Sequence, residues 1–458
     1  MSTLLQLGPA PSHTATRNAC KLCTPLGASL AFSGVEGCVP LLHGSQGCST
    51  YIRRYMISHY REPIDIASSN FAEQTAVFGG RDNLFAAIRN VCKAYSPKAV
   101  GIATTCLAET IGDDVAMYLH EFRKTLAEGD AGPRLIHVST PSDQGTHAEG
   151  FTRTLRALVD TLAEGGERMG DVVNIIPAML SPADLRHLRE LVEAFGLRPI
   201  VMPDYADRLD GPAWPEYHVL PPGGTTVEEI ARMGRAAATI EFATTAPEGT
   251  TAGALLQERF GVPLYRMAIP CGVVATDAMT AVLEAVSGRA LPERIAHERG
   301  RLVDSFIDAH KYAFEQRAIV YGEEDLVIAL CSMLSEVGVL PVLAASGGRS
   351  KRFAPQLFAA CPTLEGRCEV MEDIDFETLT EHAKALRPDV LVGHSKGYKL
   401  ARELGVPLVR VGFPVHDRMG GARLLHVGYR GTQQLFDRVV NALLEEKQDE
   451  SDIGFTYL

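Results

Sequence analysis

Short runs rich in β-branched residues alternate with helix-like stretches along most of this chain, and this alternation constrains the fold more than any other feature. Such runs predict strands, and helices between successive strands predict parallel sheets covered on both faces. We therefore expect an α/β protein of three Rossmann-like domains with mainly parallel sheets flanked by helices. The predicted strands span residues 98–104, 134–139, 171–176, 198–202, 318–321, 340–344, 389–394 and 407–413, with an amphipathic helix at 376–386.

Domain boundaries are predicted from the length of the chain and from its charged or Gly-containing segments. A chain of 458 residues has about three domains' worth of sequence, and its 46% hydrophobic content is enough to form a core in each. The charged stretch 163–170 ends the first of them. We predict domains at residues 1–168, 169–287 and 288–458, the last with a C-terminal helix. The Pro-rich segment 211–224 predicts a surface loop in the second domain.

Charge and patterning argue against several classes of partner. The net charge of -12 is unfavourable for binding the phosphates of nucleic acid, so no nucleic-acid partner is expected. The N-terminal residues lack the basic and apolar segments of a secretion signal, and no uncharged run approaches the length of a membrane span. A cytoplasmic protein without membrane association is therefore expected. The sequence also has no Walker-type loop or GxGxxG fingerprint, so we expect this chain to bind no nucleotide.

Three of the ten cysteines have sequence surroundings that suit a binding site. Cys23, Cys48 and Cys106 each lie among Gly, Pro, Ser or Thr residues at a predicted strand or helix end. Loop ends of this kind allow several side chains to face one ligand, and thiolate is the preferred ligand of iron–sulfur clusters. Their spacing matches no local metal motif. From the cysteines alone, buried inert thiols are therefore the default interpretation, and a shared metal site is the alternative.

The other cysteines have simpler interpretations, since a cytoplasmic chain of this length favours free thiols over disulfides. Cys20 lies three residues before Cys23, but no second CxxC pair exists, and we interpret Cys20 as a bystander. We assign three further cysteines to the core, namely Cys38, Cys92 and Cys331. For the other three, the spacing identifies no partner; these are Cys271, Cys361 and Cys368.

Small and polar residues near the three cysteines carry further expectations. Gly27, Gly44 and Gly47 would let the backbone approach a bulky inorganic cluster closely. The polar residues are expected to have structural roles. Asp113 and Asp114 are expected to be charges at a helix N-terminus or in solvent, and His43 and His59 are expected to form hydrogen bonds to the backbone.

Long sequence words around the cysteines carry a family resemblance. In order, they are CTPLG at 23–27, HGSQGC at 43–48, YREP at 60–63, AVFGG at 76–80 and TTCLAETIGDD at 104–114. Further words follow towards the C-terminal end, namely PS at 141–142, ERGRLVD at 298–304, GVPLVRVGFP at 405–414 and GYRG at 428–431. In this order and spacing, over nearly the whole chain, they resemble the β-type subunit of the nitrogenase superfamily.

The resemblance implies a subunit that pairs with a homologous α-type subunit in an α2β2 heterotetramer. In catalytic members, an eight-iron, seven-sulfur (8Fe-7S) P-cluster lies at the interface and takes three cysteines from each chain. Cys23, Cys48 and Cys106 fall on the β-side ligand positions, within the domain predicted at 1–168. Ser142 lies where some members have a serine that can ligate the oxidised cluster, and a helix N-cap is its alternative role. The active-site cofactor belongs to the partner, so this chain is expected to have no catalytic residue.

The resemblance also implies an electron donor. Phe78, in the AVFGG word, resembles the family's exposed aromatic residue at the docking surface for an ATP-dependent, homodimeric reductase that carries a four-iron (4Fe-4S) cluster. An exposed ring among small residues is a suitable interface anchor. From the word alone, an ordinary core phenylalanine is the favoured interpretation, and the family resemblance reverses this preference towards docking.

The sequence favours some subtypes of this family over others. A first ligand at position 23 disfavours a molybdenum nitrogenase β subunit, which typically has a longer N-terminal extension. The retained Cys106 favours a cluster-bearing electron relay, and methylthio-alkane reductase is the preferred subtype, with an alternative-metal nitrogenase as the next. The alternative function is a non-catalytic β-type scaffold for cofactor biosynthesis, which generally lacks this cysteine and carries a four-iron (4Fe-4S) cluster.

Overall fold

The strands of this protein form three parallel sheets, each flanked by helices. The structure is a computed structural model, and it describes residues 20–126 and 132–453. Every strand pair in the three sheets is parallel. This architecture confirms the predicted α/β class. The sheets occupy residues 38–138, 169–266 and 317–410, so each lies within a different predicted domain, whose boundaries stay predictions.

The first sheet has the strand order β2-β1-β3-β4, and it positions the candidate site. Its central strands are fully buried, since every residue of β1 and β3 is inaccessible to solvent. The strands are β1 (Cys38–His43), β2 (Ala67–Ser68), β3 (Ala99–Thr104) and β4 (Arg134–Val138). The helices around them are α1 (Thr24–Ser33), α2 (Gln46–Tyr60), α3 (Glu73–Phe78), α4 (Arg81–Tyr95), α5 (Cys106–Ile111), α6 (Val115–Lys124) and α7 (His147–Leu162).

The second sheet has the order β6-β5-β7-β8. Its strands are β5 (Met169–Ile176), β6 (Arg198–Val201), β7 (Ala236–Glu241) and β8 (Leu264–Arg266). The accompanying helices are α8 (Pro182–Ala194), α9 (Ala206–Leu209), α10 (Val227–Arg232), α11 (Ala252–Phe260) and α12 (Val273–Ser287). The predicted loop at 211–224 contains neither helix nor strand, and its Trp214 and Tyr217 are exposed, which confirms it as a surface loop.

The third sheet has the order β11-β10-β9-β12-β13. Its strands are β9 (Arg317–Gly322), β10 (Leu340–Ser346), β11 (Glu369–Met371), β12 (Val390–Gly393) and β13 (Leu408–Arg410). The helices are α13 (Glu293–Ala313), α14 (Glu324–Glu336), α15 (Phe353–Ala360), α16 (Phe376–Leu386), α17 (Tyr398–Leu404) and α18 (Gly428–Asp449). The C-terminal helix α18 packs against α13 and also contacts α8.

Local sequence explains where several helices begin. Thr146 accepts a hydrogen bond from a backbone N–H of the first turn of α7, while Glu149 reaches back to the backbone N–H of Thr146. Ser181 and Asp184 make the same reciprocal pair at the start of α8. Such capping boxes satisfy backbone N–H groups that have no partner within the helix. Short 3-10 helices complete the described structure at Ser142–Gln144, Met233–Arg235, Pro362–Leu364, Ser395–Gly397 and Gly421–Arg423.

Within residues 20–126 and 132–453, none of the helices combines the length and the apolar composition that crossing a membrane requires.

Candidate metal-cluster site

Three neighbouring strands of the first sheet end next to predicted site residues. After β1, the chain turns into α2, whose third residue is Cys48. After β3, a single residue precedes Cys106, the first residue of α5. After β4, the chain reaches Ser142, the first residue of a 3-10 helix. Because β1, β3 and β4 are adjacent and parallel, all three residues follow the same carboxyl edge of the sheet.

Cys23 reaches this region from helix α1, of which it is the N-terminal cap residue. The next residue, Thr24, has its hydroxyl 3.2 Å from the carbonyl oxygens of both Pro141 and Gly145, which flank the Ser142 turn. The backbone N–H of His147 also donates to the carbonyl of Leu22 at 3.1 Å. Cys23 is therefore held beside the loop that carries Ser142.

Close packing between α1 and α7 fixes the position of Cys23. A Cβ atom at Gly27 would lie 1.7 Å from the carbonyl oxygen of His147, and one at Gly150 would lie 2.0 Å from that of Thr24. Only glycine allows the two helices to approach so closely. The expectation that Gly27 makes room for a cluster is therefore wrong, because its role is helix packing.

The other two glycines differ from each other. A Cβ at Gly44 would lie 1.9 Å from the hydroxyl oxygen of Thr105, so Gly44 brings the loops after β1 and β3 together. A Cβ at Gly47 would meet no described atom within 4 Å. Of the three predicted glycines, only Gly47 borders open space next to Cys48.

Hydrogen bonds join the Cys106 loop to the Ser142 loop. The backbone N–H of Ser142 donates to the sulfur of Cys106 at 3.3 Å. Below this contact, the backbone N–H of Thr140 donates to the hydroxyl of Thr104 at 2.9 Å, and the Thr140 hydroxyl donates to the Thr104 carbonyl at 2.6 Å. The carboxylate of Glu109 accepts from the hydroxyls of both Thr104 and Ser139. The two strand ends are thus fixed relative to each other.

The predicted ligands are also the accessible thiols. Cys23 and Cys106 are exposed and Cys48 is partly exposed, whereas the other described cysteines are buried except for the partly exposed Cys92. Burial raises the pKa of Cys20 to about 12, and burial raises that of Cys38 to about 12. Buried thiols of this kind stay protonated and inert. The bystander role predicted for Cys20 and the core role predicted for Cys38 agree with this burial.

The donor set suits a cluster shared with another chain better than a single ion. Among residues 20–126 and 132–453, no group of three or more His, Cys, Asp or Glu side chains is arranged to hold one metal ion. Cysteine thiolates are nevertheless the ligands that iron–sulfur clusters use. The exposed thiols of Cys23 and Cys106 and the partly exposed thiol of Cys48 therefore suit the ligand chemistry of such a cluster.

Ser142 does not cap a helix. It is the first residue of its 3-10 helix, Pro141 occupies the N-terminal cap position, and no side-chain capping bond is formed there. The alternative role that the sequence allowed for Ser142 is therefore wrong. Its half-buried side chain stays next to Cys106, and its role as a ligand stays a prediction.

Phe78 is not a core residue. It is the last residue of α3, and its side chain is 87% exposed, next to Val77, which is 75% exposed. The core alternative is therefore wrong, while docking of a partner at Phe78 stays a prediction.

The polar residues near the cysteines agree with the sequence-based expectations only in part. Asp114 caps α6, as predicted, by accepting a hydrogen bond from the backbone N–H of Met117. The Asp113 side chain is only 2% exposed, so it is not a solvated charge. It pairs with His43 at 3.0 Å and also accepts the backbone N–H of Gly80, at the N-terminal end of α4. His43 is bound to side chains, contrary to expectation, whereas His59 accepts from the backbone N–H of Val415, as expected. The only sequence signal for Asp113 is its place in the TTCLAETIGDD word.

Comparison with known proteins decides the family. The family model described as "Nitrogenase component 1 type Oxidoreductase" matches residues 23–444. The chain belongs to this family. Among nitrogenase component 1 proteins, it is 36% identical to the nitrogenase molybdenum-iron protein beta chain of Methanothermobacter thermautotrophicus, with 93% of each chain covered. It is 35% identical to the nitrogenase iron-molybdenum cofactor biosynthesis protein NifN of Bradyrhizobium diazoefficiens, with 98% of this chain and 93% of that protein covered.

A solved nitrogenase component 1 structure has the same fold. The chain superposes on one described as "Nitrogenase Cp1 at pH 6.5" with a TM-score of 0.93, at 32% identity and with 98% of both chains covered. The protein is therefore a β-chain-type nitrogenase component 1 subunit. The prediction that the position of Cys23 disfavours a molybdenum nitrogenase β subunit is wrong. A molybdenum-iron beta chain matches this chain over 93% of its own length.

Proposed function

We propose that this chain is the electron-relay β-type subunit of a nitrogenase-like reductase, and that it holds half of a shared 8Fe-7S P-cluster through Cys23, Cys48 and Cys106. The observation that carries the proposal is that Cys48 and Cys106 follow two adjacent parallel strands at one sheet edge, while Cys23 lies beside the loop after the third strand. All three thiols are exposed or partly exposed, whereas the other described cysteines are mostly buried. When bound, such a cluster supplies one-electron transfer at a potential that depends on its charge, its exposure and hydrogen bonds to its sulfurs.

The chain's own residues would hold and tune this group. Cys23 is the N-terminal cap residue of α1 and Cys48 lies in the first turn of α2, and helix N-terminal ends carry partial positive charge that favours anionic ligands. The backbone N–H of Ser142 donates to the sulfur of Cys106, and hydrogen bonds to sulfur are one means by which proteins set a cluster's potential. The thiols of Cys23 and Cys106 are exposed in this chain, and we propose that the partner subunit covers them.

A homologous α-type subunit is the proposed partner, in an α2β2 heterotetramer. It would supply the remaining cluster ligands and the active-site metallocofactor, so this chain would contribute no catalytic residue. We also propose that the assembly is cytoplasmic.

The proposed electron donor is an ATP-dependent, homodimeric reductase with a 4Fe-4S cluster. Its proposed docking site is Phe78 together with the rest of residues 73–80, which we call the docking segment. Val77 and Phe78 both expose apolar side chains to solvent there. Large exposed apolar side chains on one short helix are typical of interaction sites.

The proposed subtype follows the sequence resemblance. A methylthio-alkane reductase stays our preferred prediction, ahead of an alternative-metal nitrogenase, because the full set of three cysteines is retained. The residues that line the reaction pocket belong to the partner, and the partner therefore decides the substrate.

A cofactor-biosynthesis scaffold is the second candidate function, and one observation favours it. The chain is 35% identical to a biosynthesis protein over 98% of its length. In the resemblance, such scaffolds carry a four-iron cluster and generally lack the cysteine at position 106. The exposed thiol of Cys106 supports the relay over the scaffold.

Cluster type separates the two functions. The complex of this chain with its α-type partner is purified without oxygen, its iron is counted, and the oxidised state is examined by electron paramagnetic resonance. The family resemblance predicts eight iron atoms per interface for a relay. About four iron atoms would support the scaffold, and a colourless complex would contradict both.

A further inference from the structure

A buried carboxylate connects the docking segment with the elements that carry two of the proposed cluster ligands. Both side-chain oxygens of Asp113 accept the backbone N–H of Gly80, at 3.1 and 3.0 Å. Gly80 ends the docking segment and is the N-terminal cap residue of α4. The hydroxyl of Tyr118 donates to the same carboxylate at 3.1 Å.

The same carboxylate also reaches the strand end before Cys48. Nε2 of His43 lies 3.0 Å from Asp113, and the two side chains are 0% and 2% exposed. Nδ1 of His43 lies 3.1 Å from the Ser69 hydroxyl, which in turn accepts the backbone N–H of Gly44 at 2.9 Å. Gly44 directly follows β1, and Cys48 lies four residues further on.

The hydrogen-bond pattern defines the proton positions in this network. Burial lowers the pKa of His43 despite the nearby carboxylate, so the ring is neutral at neutral pH. A neutral ring that faces a carboxylate carries its proton on Nε2, which leaves Nδ1 to accept from Ser69. Every polar atom is then matched to a partner of the right kind.

Asp113 is also fixed to the helix that starts at Cys106. Its backbone N–H donates to the carbonyl of Ala108 in α5 at 3.1 Å. Gly80 and Asp113 are closely packed, since a Cβ at Gly80 would lie 2.6 Å from Asp113 Oδ2 and 2.4 Å from the ring of Phe71. One side chain thus contacts the docking segment, the end of β1 and the region after α5.

We propose that Asp113 is a positioning residue that fixes the docking segment relative to the elements carrying Cys48 and Cys106. This role rests on the proposed function, because it concerns the path between the reductase and the cluster. Docking at Phe78 would then change the surroundings of the cluster through Gly80, Asp113 and His43. A buried hydrogen-bond network can transmit such a displacement because its members cannot move independently.

The test uses the complete complex with its α-type partner and compares Asp113→Asn with Asp114→Asn. Both variants remove one negative charge, at neighbouring positions, but Asp114 only caps α6. In Asp113→Asn, the amide cannot accept from His43, Gly80 and Tyr118 as the carboxylate does. We expect peptides covering the docking segment to exchange amide hydrogens about tenfold faster. We also expect a shifted cluster midpoint potential at unchanged iron content, with neither change in Asp114→Asn.

A second variant approaches the same network from the docking side, and keeps the test informative if Asp113→Asn does not fold. Gly80→Ala places a methyl group against the Asp113 carboxylate and the Phe71 ring, so it displaces its neighbours while residue 113 keeps its carboxylate. It is expected to shift the cluster midpoint potential too. Potentials equal to wild type in Asp113→Asn and Gly80→Ala would overturn the positioning role, as would equal effects of Asp113→Asn and Asp114→Asn.

The outcomes for the two proposals can be told apart. A wild-type complex that contains no iron overturns the proposed function. An iron-loaded wild type whose potential and docking-segment exchange do not respond to Asp113→Asn overturns only the positioning role.

Discussion

The backbone N–H of Ser142 donates a hydrogen bond to the sulfur of Cys106 across 3.3 Å. The two residues follow the ends of neighbouring parallel strands, β4 and β3, which the Thr104 and Thr140 hydrogen bonds hold together. This backbone donor persists with any residue other than proline at position 142. The contact therefore separates the role of the Ser142 backbone from that of its hydroxyl.

Replacing Ser142 by Ala is expected to change only the oxidised cluster. The hydroxyl makes no hydrogen bond among the described residues, so the free energy of unfolding should change by less than about 0.5 kcal/mol. Oxidised irons are harder Lewis acids and favour oxygen donors, so loss of the hydroxyl should alter the oxidised state alone. A redox titration followed by electron paramagnetic resonance measures this. A titration identical to wild type would show that Ser142 is not a ligand.

Replacing Phe78 by Ala is expected to weaken docking without destabilising the subunit. An 87% exposed ring contributes little to the fold, whereas truncation of an aromatic anchor at an interface weakens binding by about tenfold or more. Binding of the reductase and its rate of electron delivery are the measurements. Tyr217→Ala is the matched control, because Tyr217 is 89% exposed in the loop at 211–224. Equal effects of the two substitutions, or an early thermal transition in Phe78→Ala, would remove Phe78 from the docking surface.

Stability is expected to fall as the pH drops below about 6.5. Burial lowers the pKa of His59 to about 3, and burial lowers that of His394 to about 3. Between the folded pKa of about 3 and the unfolded value of 6.5, the unfolded chain binds more protons, so stability rises with pH in this window. Each histidine contributes about 1.4 kcal/mol per pH unit there.

Denaturant unfolding at several pH values between 5 and 7 tests this dependence. His59→Gln is expected to reduce its slope, whereas His297→Gln, at an exposed position of α13, should leave the slope unchanged. If the unfolding free energy of His59→Gln depended on pH as steeply as that of wild type, His59 would not be a source of the pH dependence.

Much of the fold could be predicted from the sequence, because β-branched runs and turn residues are local signals. Each of the eight predicted strands corresponds to an observed one, and the predicted helix at 376–386 is α16. Strand β1 gave no clear signal, since Pro40 interrupts its run, although it is fully buried between β2 and β3. Strand β7 begins with three alanines, and β2, β8 and β11 have at most three residues each.

The candidate site could be predicted from the sequence only in part. The proposed ligands lie in recognisable sequence words, whereas the residues that support them are far apart in sequence. Cys23, Cys48 and Cys106 lie within long sequence words that can be compared with a family. The role of Asp113 depends on Gly80 and His43, which are 33 and 70 residues away in sequence, so no local pattern reveals it. The same holds for Gly27, whose packing partner is on α7.

The central claim is that the accessible thiols, and not the buried ones, hold a cluster. The most direct measurement is the iron content per interface of the anaerobically purified complex in wild type, Cys106→Ala and Cys331→Ala. Cys331 is the matched control because it is fully buried in α14.

We expect eight iron atoms per interface for wild type and for Cys331→Ala. The Cys331→Ala control is expected to lose about 1 kcal/mol of stability. We expect loss or degradation of the cluster in Cys106→Ala, since alanine offers no ligand to iron, and the same for Cys23→Ala and Cys48→Ala. A Cys106→Ala complex with the iron content and spectrum of wild type would contradict this claim.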